Sequence, residues 1–183
     1  MKNRHELIKY FAELGFKVGA EIGVAQGFYS EYICQQIPGI KLYCIDYWQP
    51  YRGYMDYRKK ETFIGLFEEA VKRLASYNCV LIKKFSMDAV KDFTDESLDF
   101  VFIDGHHGYE YVRDDIREWS KKVRKGGIVA GHDYYITLAG NVGVIQAVDE
   151  YVKEKGYELK LTDWDNENPH KDERQPSWYF VKT

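Results

Sequence analysis

The chain has 183 residues, which is the size of one domain, and its apolar fraction of 45% and charged fraction of 30% are typical of a globular protein. The net charge of -3 and pI of about 6.0 give no global electrostatic case for a nucleic-acid or anionic-membrane partner. The first residues lack the apolar core of a signal peptide, and no apolar run approaches ~20 residues, so we expect a cytoplasmic protein with no membrane contact.

Helices and strands alternate in the first half of the chain. Apolar spacing predicts a helix over residues 3–14 that ends at Gly15, and a buried strand over 18–22. A glycine turn, a helix over 28–37 and a strand over 41–46 follow. An aromatic-rich segment, residues 47–57, precedes a long helix over 59–77 and a strand over 79–82. A turn and a short helix begin at Ser86.

The second half continues the alternation. We expect a strand over residues 98–104, a helix over 109–123 that glycines end at 125–127, and a strand over 128–130. A helix over 142–155 precedes two short strands, 159–161 and 178–181, which a polar loop joins as an antiparallel pair. The pattern predicts an α/β fold, namely a doubly wound, Rossmann-like, mostly parallel seven-stranded sheet with an antiparallel C-terminal hairpin and helices on both faces.

The turn after the first strand predicts a ligand pocket. Residues 21–27, EIGVAQG, place Gly23 and Gly27 between a strand and a helix N-terminus. The spacing differs from the Gly-x-Gly-x-x-Gly pattern that binds a pyrophosphate. Glu21, two positions before the first glycine, would repel a phosphate and attract an ammonium group. The pocket therefore suits a ligand with a cationic end and no phosphates, and S-adenosylmethionine meets that description.

Polar residues follow several of the predicted strands. Because ligands bind beyond the carboxyl ends of parallel strands, we expect these side chains to line one site. The residues are Gly23, Asp46, Ser86, Asp104, His132 and Asp133.

With these motifs in place, the chain resembles a known family. Residues 21–27, 45–46, 101–105 (VFIDG) and 125–133 (KGGIVAGHD) look like those of class I S-adenosylmethionine-dependent methyltransferases. Residues 103–109 and 143–149 are similar to the small bacterial O-methyltransferase group that includes macrocin O-methyltransferase relatives. The resemblance implies a single methyltransferase domain over residues 1–183, with an N-terminal helix at 1–15, a cofactor-binding core at 16–135, and a last helix and closing hairpin at 136–183.

The same resemblance implies cofactor contacts. Glu21 and the backbone around Gly23 and Gly27 would define the methionine end, and Asp46 would accept both ribose hydroxyls. Ser86 and Met87 would line the adenine, although serine is also a common helix N-cap. Asp104 would lie near the methionine amino group or a metal ion.

Transfer to a hydroxyl group needs a general base or a metal ion to lower the pKa of the acceptor. The resemblance makes Asp104 and Asp133 the metal ligands, for Mg²⁺ or another divalent metal, with histidine ligation favouring a softer ion. His132 stands where magnesium-dependent relatives have an acid, which leaves His107 or His132 as a general base with Asp133. For His106 we expect only a hydrogen bond to the loop backbone.

The acceptor is expected to be a small molecule with a sugar or phenol hydroxyl. Its pocket would be built from the segment at 47–57, where Arg52 and Arg58 could meet an anion, and from the loop after Asp133. A second subunit is a further contributor, which would make the protein a homodimer. Alternatively, the tyrosines of this segment are exposed and pack on the following helix, with no role in ligand binding.

Other functions remain open. The fold could serve a non-catalytic module that binds S-adenosylmethionine, a nucleotide or a protein partner. A nicotinamide-dependent oxidoreductase is disfavoured because the tight glycine triplet is missing. A nucleic-acid methyltransferase is disfavoured by the acidic balance and by residues 104–107, DGHH, where an Asn-Pro-Pro-aromatic motif would stand. The three cysteines, Cys34, Cys44 and Cys79, have no metal-ligand spacing and are expected to be reduced core thiols.

Overall fold

The structure is a computed structural model that describes residues 1–51, 60–137, 140–170 and 173–183. Its seven strands form one sheet in the order β3-β2-β1-β4-β5-β7-β6. The strands are β1 (Val18–Ile22), β2 (Lys41–Asp46), β3 (Cys79–Lys83), β4 (Leu98–Ile103), β5 (Val123–Gly131), β6 (Lys160–Leu161) and β7 (Trp178–Val181). Strands β1 to β5 pair in parallel, whereas β7 is antiparallel to both β5 and β6. The predicted fold class is confirmed, including the closing antiparallel pair.

Six α-helices surround the sheet in the described part of the chain. They are α1 (Arg4–Glu13), α2 (Phe28–Gln36), α3 (Lys60–Leu74), α4 (Ser86–Ala89), α5 (Tyr109–Lys122) and α6 (Gly143–Lys155). The side chain of Asn3 caps α1 by accepting hydrogen bonds from two backbone N–H groups of its first turn. No helix among the described residues combines the length and apolar character needed to span a membrane.

Strand β4 divides the hydrophobic core into two layers. Phe100 and Phe102 point into a cluster with residues of α1, α2 and α3, while Val101 and Ile103 point into a cluster with residues of α5 and α6. All four are buried, because successive side chains of a strand face opposite sides of the sheet. The nearly continuous apolar run at 98–103 thus corresponds to a strand covered on both faces, as predicted.

The predicted boundary between α5 and β5 is wrong. Residues 125–127 do not end α5 in a glycine cap, because α5 passes directly into β5 at Val123 and these residues belong to the strand. The N–H group of Gly126 donates to the carbonyl oxygen of Lys182 at 2.7 Å, and Lys182 returns a bond to Gly127 at 2.9 Å. Pairing with the C-terminal residues therefore extends β5, and a local pattern could not show this long-range partner.

Candidate active site

The site is organised around the end of β1, which lies between β2 and β4 at the point where the strand order reverses. Backbone hydrogen bonds join Gly23 to Ile45 at 2.9 Å and Asp104 to Ile22 at 2.7 Å. Gly23 has φ of +92°, and a Cβ there would lie 2.1 Å from the carbonyl oxygen of Asp104. Glycine is thus required because the end of β4 approaches the turn so closely.

Asp46 fixes the turn that follows Gly23. One carboxylate oxygen accepts hydrogen bonds from the N–H groups of Val24 and Ala25, both at 3.0 Å, and the other accepts from Trp48 at 2.9 Å. The indole N–H of Trp48 donates to the carbonyl oxygen of Ala25 at 2.8 Å, which closes the network. Ala25 and Trp48 both have positive φ, a strained conformation that this network maintains. Asp46 also lines the first of the two cavities described below. Its contact with a ribose stays a prediction.

We call the first cavity, of about 410 Å³, the aromatic cavity. The rings of Tyr47 and Phe85 stack with centroids 3.7 Å apart, and those of His106 and Tyr111 stack at 4.0 Å. Tyr51 lies between the pairs, with its ring 5.2 Å from Phe85. Flat aromatic walls of this kind suit a flat ring as ligand. Met87 also lines this cavity, and its polar lining residues include Asp46, Lys84, Ser86, Asp88, Glu110, Asp114 and Asp115.

Ser86 belongs to a buried hydrogen-bond chain and does not cap a helix. Its hydroxyl group donates to a carboxylate oxygen of Asp115 and accepts the indole N–H of Trp119 at 2.7 Å. The N-cap of α4 is Phe85, so the capping alternative is wrong. Burial raises the pKa of Asp115 to about 7, against the lowering effect of the Ser86 hydrogen bond. Sequence reasoning missed Asp115, although an acidic residue on the apolar face of α5 was a usable signal.

Glu21 is almost completely buried and does not cap a turn. The hydroxyl group of Ser30, on α2, donates to its carboxyl group. Burial raises the pKa of Glu21 to about 8, so the carboxyl group is mostly protonated at neutral pH. The standing negative charge expected at this position is therefore reduced. Gly27, with φ of +79°, is the N-cap of α2 and is not among the residues lining either cavity described here.

We call the second cavity, of about 650 Å³, the charged cavity; it shares Gly23 and Gly105 with the aromatic cavity. The buried guanidinium group of Arg4 donates to Asp104 at 2.7 Å and to both carboxylate oxygens of Glu173. It also lies 4.4 Å from the centroid of the Tyr29 ring. Arg4 and Glu173 were missed, because neither α1 nor the loop before β7 carries a sequence signal that places it at this edge.

Asp104, His107 and Asp133 converge in the charged cavity, with one potential ligand atom from each within 4.8 Å of the others. The Nε2 atom of His107 lies 3.1 Å from Asp133 and 3.8 Å from Asp104. Burial acts to raise the pKa of Asp104, but the His107 hydrogen bond and the charges of His132 and Arg4 outweigh it and hold the pKa well below its usual range. The structure thus brings together both predicted metal ligands and one predicted base.

His132 lies beside this cluster but deeper. Its Nδ1 atom is 3.4 Å from Asp133, while its Nε2 atom is buried with no hydrogen-bond partner among the described residues. Asp133 has φ of +59°, a strained conformation for a residue other than glycine. His106, in contrast, accepts a hydrogen bond from the loop N–H group of Gly108 at 2.9 Å, the backbone contact expected for it.

The aromatic segment falls partly outside the described residues. Arg52 and Arg58, the predicted partners for an anionic acceptor, lie there, as does residue 54. Of the described part, Trp48 is buried in the core, whereas Tyr47 and Tyr51 line the aromatic cavity.

The architecture described above, a doubly wound sheet with two joined cavities at its switch point, defines a Rossmann-like ligand-binding domain. The sequence profile of a family described as Methyltransferase domain matches residues 20–134, which include the turn, both cavities' strand ends and the Asp104–His107–Asp133 cluster. The chain belongs to this methyltransferase domain family.

Known structures share the fold at low sequence identity. A precorrin-6y C5,15-methyltransferase from Geobacter metallireducens is similar with a TM-score of 0.68 and 16% identity, over 98% of this chain and 87% of the other. A putative caffeoyl-CoA O-methyltransferase from Staphylococcus aureus has a TM-score of 0.68 and 17% identity, over 97% and 82%. An O-methyltransferase from Bacillus cereus, in complex with SAH, has a TM-score of 0.68 and 13% identity, over 98% and 80%.

A curated relative is the uncharacterized protein y4gI of Sinorhizobium fredii, which is 28% identical over 123 residues. The match covers 62% of this chain and only 12% of the relative's length.

Proposed function

We propose that the protein transfers a methyl group from S-adenosylmethionine to a hydroxyl oxygen of a small molecule of the sugar or phenol type. The observation that carries this proposal is the junction of the aromatic and charged cavities at Gly23 and Gly105, beyond the carboxyl ends of β1 and β4. A ligand with a flat aromatic end and a cationic end fits such a pair of cavities.

The adenosine end of the cofactor would occupy the aromatic cavity. The adenine ring would pack against the stacked rings of Tyr47 and Phe85, and Asp46 would face the ribose. Because the pKa of Asp115 is raised to about 7, that carboxyl group can serve either as a donor or as an acceptor toward the polar edge of the base.

The methionine end would extend past Gly23 into the charged cavity. Asp104 stays anionic because its pKa is lowered, and so provides the standing negative charge for an ammonium or sulfonium group. Glu21, with its pKa raised to about 8, would ionise when an ammonium group approaches and would release a proton. Binding of the cofactor at neutral pH would therefore be coupled to proton release.

The acceptor hydroxyl would be deprotonated at His107. A carboxylate oxygen of Asp133 lies 3.1 Å from Nε2 of His107 and would accept its N–H, which orients the imidazole ring and stabilises its protonated form. The half-exposed position of His107 leaves its ring accessible to a substrate. The methyl group is then transferred by an in-line displacement. The protein has to align the acceptor oxygen with the methyl group, since the sulfonium group supplies the driving force.

The same cluster fits a divalent cation. Two carboxylates and one imidazole converge within 4.8 Å, and one oxygen of Asp104 lies outside its ion pair with Arg4. A bound ion would act as a Lewis acid that lowers the pKa of the acceptor hydroxyl. The imidazole ligand favours Mn²⁺ or a softer ion over Mg²⁺.

The sequence resemblance to macrocin O-methyltransferase relatives supports oxygen as the acceptor atom. We further propose a cytoplasmic protein without nucleic-acid or membrane partners, on the grounds of its charge balance. A homodimer would complete the acceptor side of the charged cavity.

Titration calorimetry with S-adenosylhomocysteine tests the proposal. Wild-type protein is expected to bind it, and Asp46→Ala to lose binding because the turn and the ribose contact both depend on this carboxylate. Asp46→Asn keeps one acceptor oxygen but loses the charge. It provides a second test of the same carboxylate if Asp46→Ala fails to fold. Asp95→Ala, an exposed acidic residue paired with Lys122, is the matched control and should bind normally. No heat with either S-adenosylmethionine or S-adenosylhomocysteine, on folded wild-type protein, contradicts the proposal.

Chelation separates the two ways of activating the acceptor. If a metal ion is required, EDTA abolishes methyl transfer and added Mn²⁺ restores it. Full activity after chelation instead assigns deprotonation to His107 alone.

A further inference from the structure

All three cysteines of the chain meet in space, although they are far apart in sequence and on three different elements. The Sγ atoms of Cys34, on α2, and Cys79, at the start of β3, lie 3.4 Å apart. Cys44, on β2, lies near enough to Cys79 to lower the pKa of that thiol, and its Sγ atom contacts the hydroxyl group of Ser30 at 3.6 Å. The cluster lies outside both cavities.

The three thiols differ in access. Cys34 and Cys44 are buried, whereas Cys79 is partly exposed on β3, an edge strand of the sheet. Hydrogen bonds from the thiols of Cys34 and Cys44 lower the pKa of Cys79, against the effect of its burial. An oxidant arriving from solvent therefore meets Cys79 first, and the lowered pKa favours its thiolate, which is the reactive form.

We propose that Cys34 and Cys79 form an oxidant-sensitive thiol pair, in which hydrogen peroxide oxidises Cys79 and Cys34 then resolves it to an intramolecular disulfide. The Sγ atoms must approach from 3.4 Å to about 2.05 Å, a small movement for an edge strand and a helix end. Cys44 is left as the unpaired third thiol.

The chemistry balances with peroxide as the only co-reactant. The Cys79 thiol first releases its proton to solvent; the thiolate then attacks one peroxide oxygen, an S–O bond forms, the O–O bond breaks, and the departing hydroxide takes up a proton from solvent to give water. Sulfur of Cys34 then attacks the sulfur of Cys79, an S–S bond forms, the S–O bond breaks, and hydroxide leaves with the Cys34 proton as a second water. Two thiols lose two electrons in total, and the peroxide gains them.

Peroxide titration of the full chain, followed by alkylation under denaturing conditions and peptide mapping without reductant, tests this pair. Wild-type protein is expected to lose two of its three alkylatable thiols and to yield a peptide linking Cys34 to Cys79. Cys44→Ser should lose both of its alkylatable thiols and yield the same linked peptide. Cys34→Ser, or Cys34→Ala if serine disturbs the core, should instead leave a sulfenic acid at Cys79 that dimedone traps.

Three outcomes overturn the inference. They are retention of all three thiols in wild-type protein at peroxide concentrations that oxidise a free-cysteine peptide, a disulfide that contains Cys44, and a disulfide between two chains. The readout is independent of cofactor binding, so the inference stands or fails separately from the proposed function.

Discussion

The aromatic and charged cavities meet at Gly23 and Gly105, and each holds an aspartate whose pKa is shifted, but in opposite directions. Asp115, in the aromatic cavity, accepts a hydrogen bond from the hydroxyl group of Ser86, and burial raises its pKa to about 7. Asp104, in the charged cavity, keeps 19% of its side chain exposed; burial acts to raise its pKa, but His107, His132 and Arg4 outweigh this effect and lower the pKa. Neighbouring charges, and not burial alone, thus decide whether an acidic residue in this site is neutral or anionic.

The difference suits the two ends of the proposed cofactor. Stacked rings and a carboxyl group with a raised pKa suit an uncharged base, while a fixed anion and a histidine–carboxylate pair suit a cationic end and a proton transfer. Substitutions that change one cavity and leave the other intact test this difference.

The largest expected effect is on methyl transfer. His107→Ala should lower kcat by roughly 10²–10⁴-fold while S-adenosylhomocysteine still binds, because the proposed base is removed from the charged cavity alone. The assay follows labelled methyl transfer from S-adenosylmethionine to the best acceptor in a panel of simple phenols and sugars. His170→Ala, an exposed histidine, is the control. Equal loss of kcat in both variants would contradict the assignment.

The next effect is on stability. Arg4→Met should lower the free energy of unfolding by about 3–5 kcal/mol, because it leaves Asp104 and Glu173 without their buried partner. Urea denaturation measures the change. Lys121→Met breaks an exposed ion pair with Glu118 and should leave the urea midpoint nearly unchanged. A similar midpoint in the two variants would show that Arg4 is not what stabilises the charged cavity.

A smaller, pH-dependent effect is expected at Asp115. Its pKa of about 7 in the folded protein lies above the unfolded value of about 4, so the folded state binds more protons in between. The contribution of the protonated carboxyl group is complete below about pH 4 and is lost as the pH rises to about 7. Asp115→Asn should therefore gain stability relative to wild type across this window, by up to a few kcal/mol.

Urea midpoints of both proteins at several pH values between about 4 and 8 measure this difference. A difference that does not change with pH would mean that Asp115 is ionised throughout.

The smallest effect is expected at the stacked rings. Phe85→Ala should weaken S-adenosylhomocysteine binding by roughly two- to tenfold, since an aromatic pair contributes about 0.5–1.5 kcal/mol. Phe85→Tyr keeps the ring and should bind normally. Calorimetry that finds the alanine variant unchanged would separate the aromatic cavity from the cofactor.

Much of the fold was predictable because it depends on local patterns. Strands β1 and β2 were predicted at their observed bounds, since apolar runs bounded by glycine or polar residues specify buried strands. The boundary between α5 and β5 was not, because Gly126 pairs with the distant Lys182. Asp104, His107 and Asp133 were found as candidates because they follow predicted strands; in the sheet those strands, β4 and β5, are parallel neighbours, so their carboxyl ends lie side by side.

By itself, the sequence determined the alternation of strands and helices, the glycine turn and the polar residues at the strand ends, because hydrophobic periodicity and turn chemistry are local properties. Only the tertiary structure decided that Arg4 and Glu173 join the charged cavity, that Asp115 is buried beside Ser86, and that the three cysteines meet. These contacts join residues far apart in the chain, and the pKa of each buried group depends on neighbours that no local pattern names.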